Sequence, residues 1–522
     1  ETAIFHVGLV VLTWYWMAFG FKKVWIEAGY LSEAQRSWWT WFYRNSLAEW
    51  ALLNDCTTYP ELQLVDRSSG IQEISEEAAQ TNTPKAGNAS SSSALPKRVL
   101  CALGGGKDSL VCFQLLQEQK AEVDWLYVAD GENEFRQCTN LSAITRHSGR
   151  PVHIMAHNFD LKQMAGAVKR KMTRYKLWPG ARVEATAQAV MVAVPYCALV
   201  CFDAVVVALA SGFDAVTVGC ERSANFGNDV WLGQEMKFDK CSATASCLDG
   251  RRGGACCAGV ASDDGVGMRT ASGVNYVGLV EVNHQWDKGL EFEQAAKSYI
   301  QAYLVQDLHY FSPLMPLWDI QVAALFARLC KPYLSMFISC NQPFGWCGHC
   351  DKCCFVSAVL SAFLGTRHVS QKVFKGASLL DDFSLLNRFA NLAQFRGACN
   401  DFGSSGKPME CVGTAEEVRL ALYLCLEHEK ETYDTAGIPC ILLDLQSELS
   451  SVGPELLQML SDWGSTENFP SWWSIGDKIQ DWLAEEAAKA QRRAAIENVS
   501  SASAHVLPSS DDETWEAAVD AS

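Results

Sequence analysis

The sequence predicts an α/β protein in which a parallel-sheet domain is preceded by an N-terminal α+β subdomain and followed by a helical C-terminal region. Three observations carry that expectation. Short β-type runs alternate with helical stretches between Val99 and Val218, a triple glycine at Gly104, Gly105 and Gly106 joins the first of those strands to its helix, and the pattern is mostly helical from about Phe292. Strands alternating with helices need crossover connections, so they lie parallel, and ligands then sit beyond their carboxyl ends.

Residues 1–65 form an aromatic-rich subdomain. Ala3 to Phe21 is nearly as apolar and as long as a bilayer crossing, which takes about 20 residues. His6 and Thr13 interrupt it, and aromatic, amphipathic sequence continues to Trp50, so a buried helix–strand unit is expected rather than a membrane anchor. Residues 66–95, rich in Ser, Ala, Thr and Glu, have no apolar period and read as a flexible linker. The sheet domain spans 96–300, with strands Val99–Leu103, Trp125–Val128, Val152–Met155 and Ala215–Val218. Its helices are expected over Asp108–Gln119, around Asn133–His147, and over Ala187–Ala210 with breaks at Pro195 and Asp203. Inside it, 240–273 reads as a disordered insertion whose irregularly spaced cysteines suit a surface loop better than a metal site. A helical region over 301–494 and a disordered Ala/Ser/Asp-rich tail over 495–522 complete the chain.

Composition narrows the function. At 522 residues the chain is too long for one compact core, and 49% hydrophobic content with 18 Trp marks it as globular. A formal net charge of -17 argues against non-specific binding to nucleic acid, which needs clustered Lys and Arg. The 21 cysteines are odd in number and scattered, with no secretory signal, which suits a reducing compartment such as the cytoplasm or a plastid stroma. Because the sequence opens on Glu1, a targeting segment missing from its N-terminus is compatible with either.

The glycine turn is the first place for chemistry. Glycines let backbone N–H groups approach an anion, and the helix opening near Asp108 adds the positive end of its dipole. A P-loop is excluded, since it would need Gly at Cys101 and Ser or Thr at Asp108. The turn resembles the S-G-G-x-D-S loop of the PP-loop ATP pyrophosphatases, with Gly104 in place of the first serine, and that resemblance implies an adenine nucleotide alpha hydrolase-like domain that cleaves ATP to AMP and pyrophosphate. An ordinary strand-to-helix turn is the plain alternative.

Cys340, Cys347, Cys350 and Cys353 are spaced for a tetrahedral, structural Zn2+ site, with an iron–sulfur cluster as the alternative on the same ligands. The neighbouring Cys354 is wrongly phased and should pack inward with Phe355. Two polar clusters follow strand-like segments: Glu221, Arg222, Ser223, Asn225 and Asn228, then Asn283, His284, Gln285, Asp287, Lys288 and Glu291. The first belongs at the same sheet edge as the glycine turn. In the second, His284 and Lys288 share a helical face, pairing a proton acceptor with a cation.

In order, GGGKDS, ERSAN, VNHQWDK, WCGHCDKC and GKPMECVGTAEEV (Gly406 to Val418) resemble the UDP-N-acetylmuramoyl-L-alanyl-L-glutamate epimerase family, the MurL type, over most of Phe5 to Glu427. Asp287 and Gly289 depart from the small polar residues expected there. The resemblance implies an ATP-dependent inversion of the terminal L-glutamate of UDP-MurNAc-L-Ala-L-Glu, with that UDP-sugar dipeptide and ATP as partners and Mg2+ as cofactor. Under it, Gly104, Gly105, Gly106 and Ser109 cradle pyrophosphate, Lys107 adds charge, and Asp108 serves magnesium. Ser223, Asn225 and Asn283 join the nucleotide side, Arg222 and Lys288 steady the leaving phosphates, and the α-proton base is His284 first and Glu221 second. Two rivals stay open: a queuosine-precursor synthase-like enzyme that amidates the adenylated carboxylate, and a non-catalytic, membrane-tethered relative. The oligomeric state is open.

Overall fold

The structure, a computed structural model, describes residues 1–54, 62–66, 98–130, 133–158, 194–232, 268–269, 275–276, 280–340, 345–398, 407–451 and 454–504. The expected linker beyond Asp66, most of the 240–273 insertion and the tail from 505 lie outside the described residues.

Five parallel strands form the central sheet: β3 (Arg98–Ala102), β4 (Glu122–Asp130), β5 (Val152–His157), β6 (Ala215–Thr217) and β9 (His309–Phe311), in spatial order β9-β6-β3-β4-β5. The chain lays strands outward from β3 to β5, then returns to the other side of β3 with β6. That reversal leaves a crevice beyond the carboxyl ends of β3 and β6, where open α/β sheets bind ligands. Strand β9 lies inside the stretch expected to be helical, so the sheet domain extends past residue 300. Three residues, HYF, give too short a β signal to stand out between helices.

Both sheet faces are covered, and alternation along each strand decides which side chain meets which cover. Val99 and Cys101 of β3, with Val123 and Trp125 of β4, face a core shared with α3 (Lys107–Glu118), α7 (Asp319–Leu329), α8 (Asp351–Leu364) and α9 (Ala415–Thr432). Leu100, Leu126 and Val128 face the opposite core, made with α1 (Thr2–Phe19), α2 (Glu33–Ser46), α5 (Tyr196–Ser211) and α6 (Leu290–Tyr303). The α+β character of the N-terminus includes a parallel ladder between β1 (Lys23–Ile26) and β2 (Gln63–Asp66). An antiparallel pair, β7 (Val230–Leu232) with β8 (Val280–Val282), flanks the main sheet.

Helix α1 is long and apolar enough to cross a bilayer, yet 56% of that span is buried against the rest of the protein. Its polar interruptions have inward roles. His6 Nδ1 lies 2.8 Å from the Thr2 carbonyl, which makes Nδ1 the protonated nitrogen and leaves Nε2 to accept from Tyr299, 2.9 Å away. The Tyr299 hydroxyl in turn accepts from Trp39 Nε1 at 2.9 Å and Gln35 Nε2 at 3.2 Å. Burial pushes the His6 imidazole down to about 4, so it stays neutral in this role.

Three local expectations are corrected. Helix α5 begins after Pro195 but runs through Asp203, whose buried carboxylate meets His157 Nε2 at 2.6 Å and so does not interrupt it. The helix expected around Asn133–His147 is two, Glu134–Gln137 and α4 (Thr139–Ser148). The last helix, α10 (Gly476–Ala504), continues into the stretch read as tail.

Replacing Tyr299 with Phe removes one acceptor from two buried donors and the proton from His6. It should cost about 1–3 kcal/mol in urea unfolding, because each stranded group keeps its desolvation penalty. Unchanged stability would show that this hub contributes nothing.

Candidate active site

The glycine turn sits where the topology places the crevice. Gly105 has φ +75, a conformation open to glycine, and a side chain there would strike Leu141 at 2.6 Å. Gly106 caps α3 with extended backbone and no side-chain partner. A hydroxyl nonetheless reaches the turn: Ser339 Oγ accepts from the Lys107 N–H at 3.3 Å, and the Ile338 N–H bonds the Gly105 carbonyl at 3.0 Å. Ser109 Oγ donates to the Gly106 carbonyl at 3.1 Å. Gly219, just beyond β6, lets that strand pass so close that a Cβ would lie 2.9 Å from the Asp108 carbonyl carbon. The loop carrying Glu221 is thereby drawn against the start of α3.

Lys107 points inward. Its Nζ is wholly buried and paired with Asp108 and Asp319, so it binds α3 to α7 and offers no charge to a ligand beyond the turn. Burial opposes its charge, but the carboxylates of Asp108, Asp319 and Glu221 outweigh that and hold it well above the usual range. Burial would raise the Asp108 carboxyl, and Lys107, Lys352 and Lys288 together bring it below its usual value. Glu221 goes the other way, raised by burial and then by Asp108 and Asp319.

Several polar residues expected to meet a nucleotide hold loops together instead. Ser223 Oγ donates to Glu417 Oε1 at 2.9 Å and accepts from the Asp319 N–H at 3.1 Å, tying this loop to the starts of α7 and α9. Asn225 bonds the Arg222 carbonyl and accepts from the Leu290 N–H at 2.7 Å, and Asn283 bonds the Ala224 carbonyl at 2.9 Å. Arg222 reaches Asp462 at 2.7 Å and lies over the Trp318 ring. The departures at Asp287 and Gly289 also have local causes. Asp287 Oδ2 accepts from the Ala198 N–H at 3.0 Å, placing a carboxylate at the amino end of α5, and Gly289 begins α6 where Asn225 approaches closely.

The loops converge on a group that spacing did not single out. Asn228 accepts from the His284 N–H at 2.9 Å and donates to the Lys407 carbonyl at 2.8 Å, while Lys407 Nζ bonds Gln285 Oε1 at 2.6 Å and the Ser223 carbonyl at 2.7 Å. These bonds bring Cys411 against His284 and Lys288. Lys288 Nζ lies 3.2 Å from Cys411 Sγ, and His284, bonded at Nδ1 to Glu49 Oε1 at 2.8 Å, acts on the same thiol. Burial opposes the charge on both members of this pair and is overcome on both. His284 is pushed up to about 10 by Cys411 and Glu49, and Cys411 down to about 5 by Lys288, His284 and Lys352. The Cys411 sulfur is therefore biased towards the thiolate and the His284 ring towards the imidazolium. Glu49 and Cys411 carried no spacing signal, although Cys411 lies within GKPMECVGTAEEV, where a Thr414–Glu417 capping box opens α9.

Cys340, Cys347, Cys350 and Cys353 bring their sulfurs within 4.8 Å of one another, with 3.9 Å between Cys340 and Cys350 and 3.7 Å between Cys347 and Cys353. Zn–S bonds of about 2.3 Å place tetrahedral sulfurs about 3.8 Å apart, so the set fits one such ion. A multi-iron cluster would spread the thiolates wider. Cys354 is fully buried in the adjoining core with Phe355. Among the described residues no other His, Cys, Asp and Glu side chains gather as a set of three or more metal ligands. Because Ser339 adjoins Cys340, an ion here would also fix the hydroxyl at the glycine turn.

Comparison with known proteins adds to this geometry. Residues 1–158 and 269–313 match the MurL N-terminal domain, and residues 336–448 match the MurL C-terminal domain. A UDP-N-acetyl-alpha-D-muramoyl-L-alanyl-L-glutamate epimerase from Xanthomonas oryzae pv. oryzae is 28% identical over 386 residues, covering 72% of this chain and 66% of that protein. One from Salinispora tropica is 26% identical over 360 residues, covering 67% of this chain and 60% of that protein. The chain thus spans less than two thirds of the length of either relative.

Two outcomes follow from the site's construction. Lys107→Met leaves Asp319 buried without its cation, and thermal or urea unfolding should show a loss of about 3–5 kcal/mol. Unchanged stability with weakened nucleotide binding would instead make Lys107 a ligand-facing residue. Elemental analysis of the purified protein should give one zinc per chain and no acid-labile sulfide; stoichiometric iron with sulfide would contradict the single-ion geometry.

Proposed function

The chain belongs to the MurL epimerase family, and from that membership we propose that it is an epimerase that inverts the terminal L-glutamate of UDP-MurNAc-L-Ala-L-Glu to D-glutamate, using ATP to form a carboxyl-adenylate and releasing AMP and pyrophosphate. The observation that carries this reading is the meeting of a glycine turn at a helix start with a cluster of Cys411, Lys288 and His284.

The chemistry explains why both belong together. An α-proton beside a carboxylate is very weakly acidic, because removing it places two negative charges on adjacent atoms. Adenylation cancels the carboxylate charge and makes its carbonyl an electron sink, so a modest base suffices. The backbone N–H groups of Gly104 to Gly106 and the amino end of α3 suit the pyrophosphate. Asp108, about one quarter exposed, is the carboxylate at that turn. Since no third ligand joins it among the described residues, Mg2+ would be held mainly through phosphate oxygens. Lys288 and Lys352 both act on Asp108 and on Cys411, so the same two cations serve the glycine turn and the sulfur. The four-cysteine site has a structural part, bracing the loop that carries Ser339.

The test is to incubate the protein with ATP, Mg2+ and UDP-MurNAc-L-Ala-L-Glu, then determine glutamate chirality and the nucleotide product. D-glutamate with AMP is expected, and Asp108→Ala should lower AMP formation by about 10²-fold or more. ADP as product would overturn the adenylate. AMP without D-glutamate would keep adenylation and remove the epimerase.

A further inference from the structure

We propose that Cys411 Sγ takes the α-proton from the activated glutamate, with His284, Glu49 and Lys288 as its positioning residues. This rests on the epimerase reading above and assigns the base within it.

Three groups near the crevice compete for the role, and their surroundings separate them. His284 Nδ1 is held by the Glu49 carboxylate at 2.8 Å, and Glu49 with the neighbouring Cys411 favours the protonated ring over a proton acceptor. Glu221 is 3% exposed, receives a bond from Gln285 at 3.4 Å, and is raised by burial and by two neighbouring carboxylates, so both its burial and its surroundings work against a carboxylate meeting substrate. Cys411 remains. The residue is only partly buried, and its sulfur lies 3.2 Å from the Lys288 ammonium. The other charged or titratable groups acting on or beside it are His284, Lys352, Lys407, Glu410, Asp287 and Glu49. The ammonium at hydrogen-bond distance thus favours the thiolate before substrate arrives.

Its attachment is equally specific. Lys352 Nζ holds the Cys411 carbonyl, and Asn228 and Lys407 pin the segment just before it to the His284 loop. In the step itself the α-carbon C–H bond breaks and an S–H bond forms, while the electron pair passes into the carbonyl of the acyl-adenylate to give an enolate. Water on the opposite face protonates the α-carbon, and the hydroxide left behind takes the thiol proton, restoring the thiolate. A second water cleaves the acyl-adenylate to carboxylate and AMP. His284 and Lys288 do not bond to the substrate carbon. They keep the sulfur charged and aimed.

The test compares unmodified protein with Cys411→Ser and Cys411→Ala in D2O, with ATP, Mg2+ and the UDP-sugar dipeptide, following deuterium at the glutamate α-carbon separately from AMP release. Deuterium incorporation should fall by at least about 10²-fold in both variants while AMP release persists. Incorporation equal to that of unmodified protein would overturn the proposal and leave the epimerase reading standing. Absence of both AMP and D-glutamate with unmodified protein would overturn the reading and this proposal with it. An acyl group found on Cys411 by intact-protein mass spectrometry would make the sulfur a nucleophile and overturn the base role. A second measurement needs no turnover and no variant that must fold. Iodoacetamide labelling with peptide mapping should modify Cys411 of unmodified protein near pH 6 almost as fast as near pH 8, and labelling confined to the higher pH would overturn the proposal. His284→Gln should move that profile upward, whereas a merely structural histidine would leave it in place.

Discussion

A wholly buried ammonium sets the terms for this molecule. Lys107 lies between Asp108 at the start of α3 and Asp319 at the start of α7, with no solvent to share its charge. Buried charges persist only when paired, so the two helix starts cannot drift apart without leaving charge uncompensated. Helix α3 leaves the central strand and α7 opens the C-terminal helices, so this pairing registers one half of the chain against the other. It also decides what the glycine turn shows to a ligand: backbone N–H groups and hydroxyls, with the lysine turned away.

Around that fixed point the site is assembled from distant parts of the sequence. The N-terminal aromatic subdomain covers one sheet face, but it also supplies Glu49 to His284. Trp41 and Phe42 pack on Trp286, seating the loop that carries His284 and Lys288. Asn228 and Lys407 then close the 221–228, 283–288 and 407–411 segments on one another through bonds of 2.6–2.9 Å. Glu417, at the start of α9, receives Ser223 and the Ile320 N–H, so the same helix that follows Cys411 is tied to α7. Loss of one such bond does not simply remove a contact; it frees a segment whose neighbours carry the chemistry.

Much of this was legible where chemistry repeats along the chain. The β–α alternation from Val99 onward, the glycine turn and the cysteine spacing each leave a local pattern, and the end of β6 brings the first polar cluster to the glycine turn as the alternation implies. Direction and partnership leave none. Lys107 beside three glycines looks like a phosphate cation until Asp319, more than two hundred residues on, is seen to claim it. Ser223, Asn225 and Asn283 have the side chains of ligand contacts, yet their hydrogen bonds hold the loops together. Cys411 is one of 21 cysteines and becomes distinctive only beside Lys288 and His284, an adjacency produced by tertiary hydrogen bonds. His284 was picked out as a proton acceptor, and the Glu49 carboxylate 2.8 Å from its Nδ1 is a partner that spacing did not show.

The account stands on the carboxylate being activated before the proton leaves. Exchange of labelled pyrophosphate into ATP reads that step alone, since it requires reversible formation of an adenylate and nothing later. Exchange that depends on the UDP-sugar dipeptide, and that survives substitution of Cys411, is the predicted result. Epimerisation proceeding with no such exchange, or with ATP omitted, would contradict it.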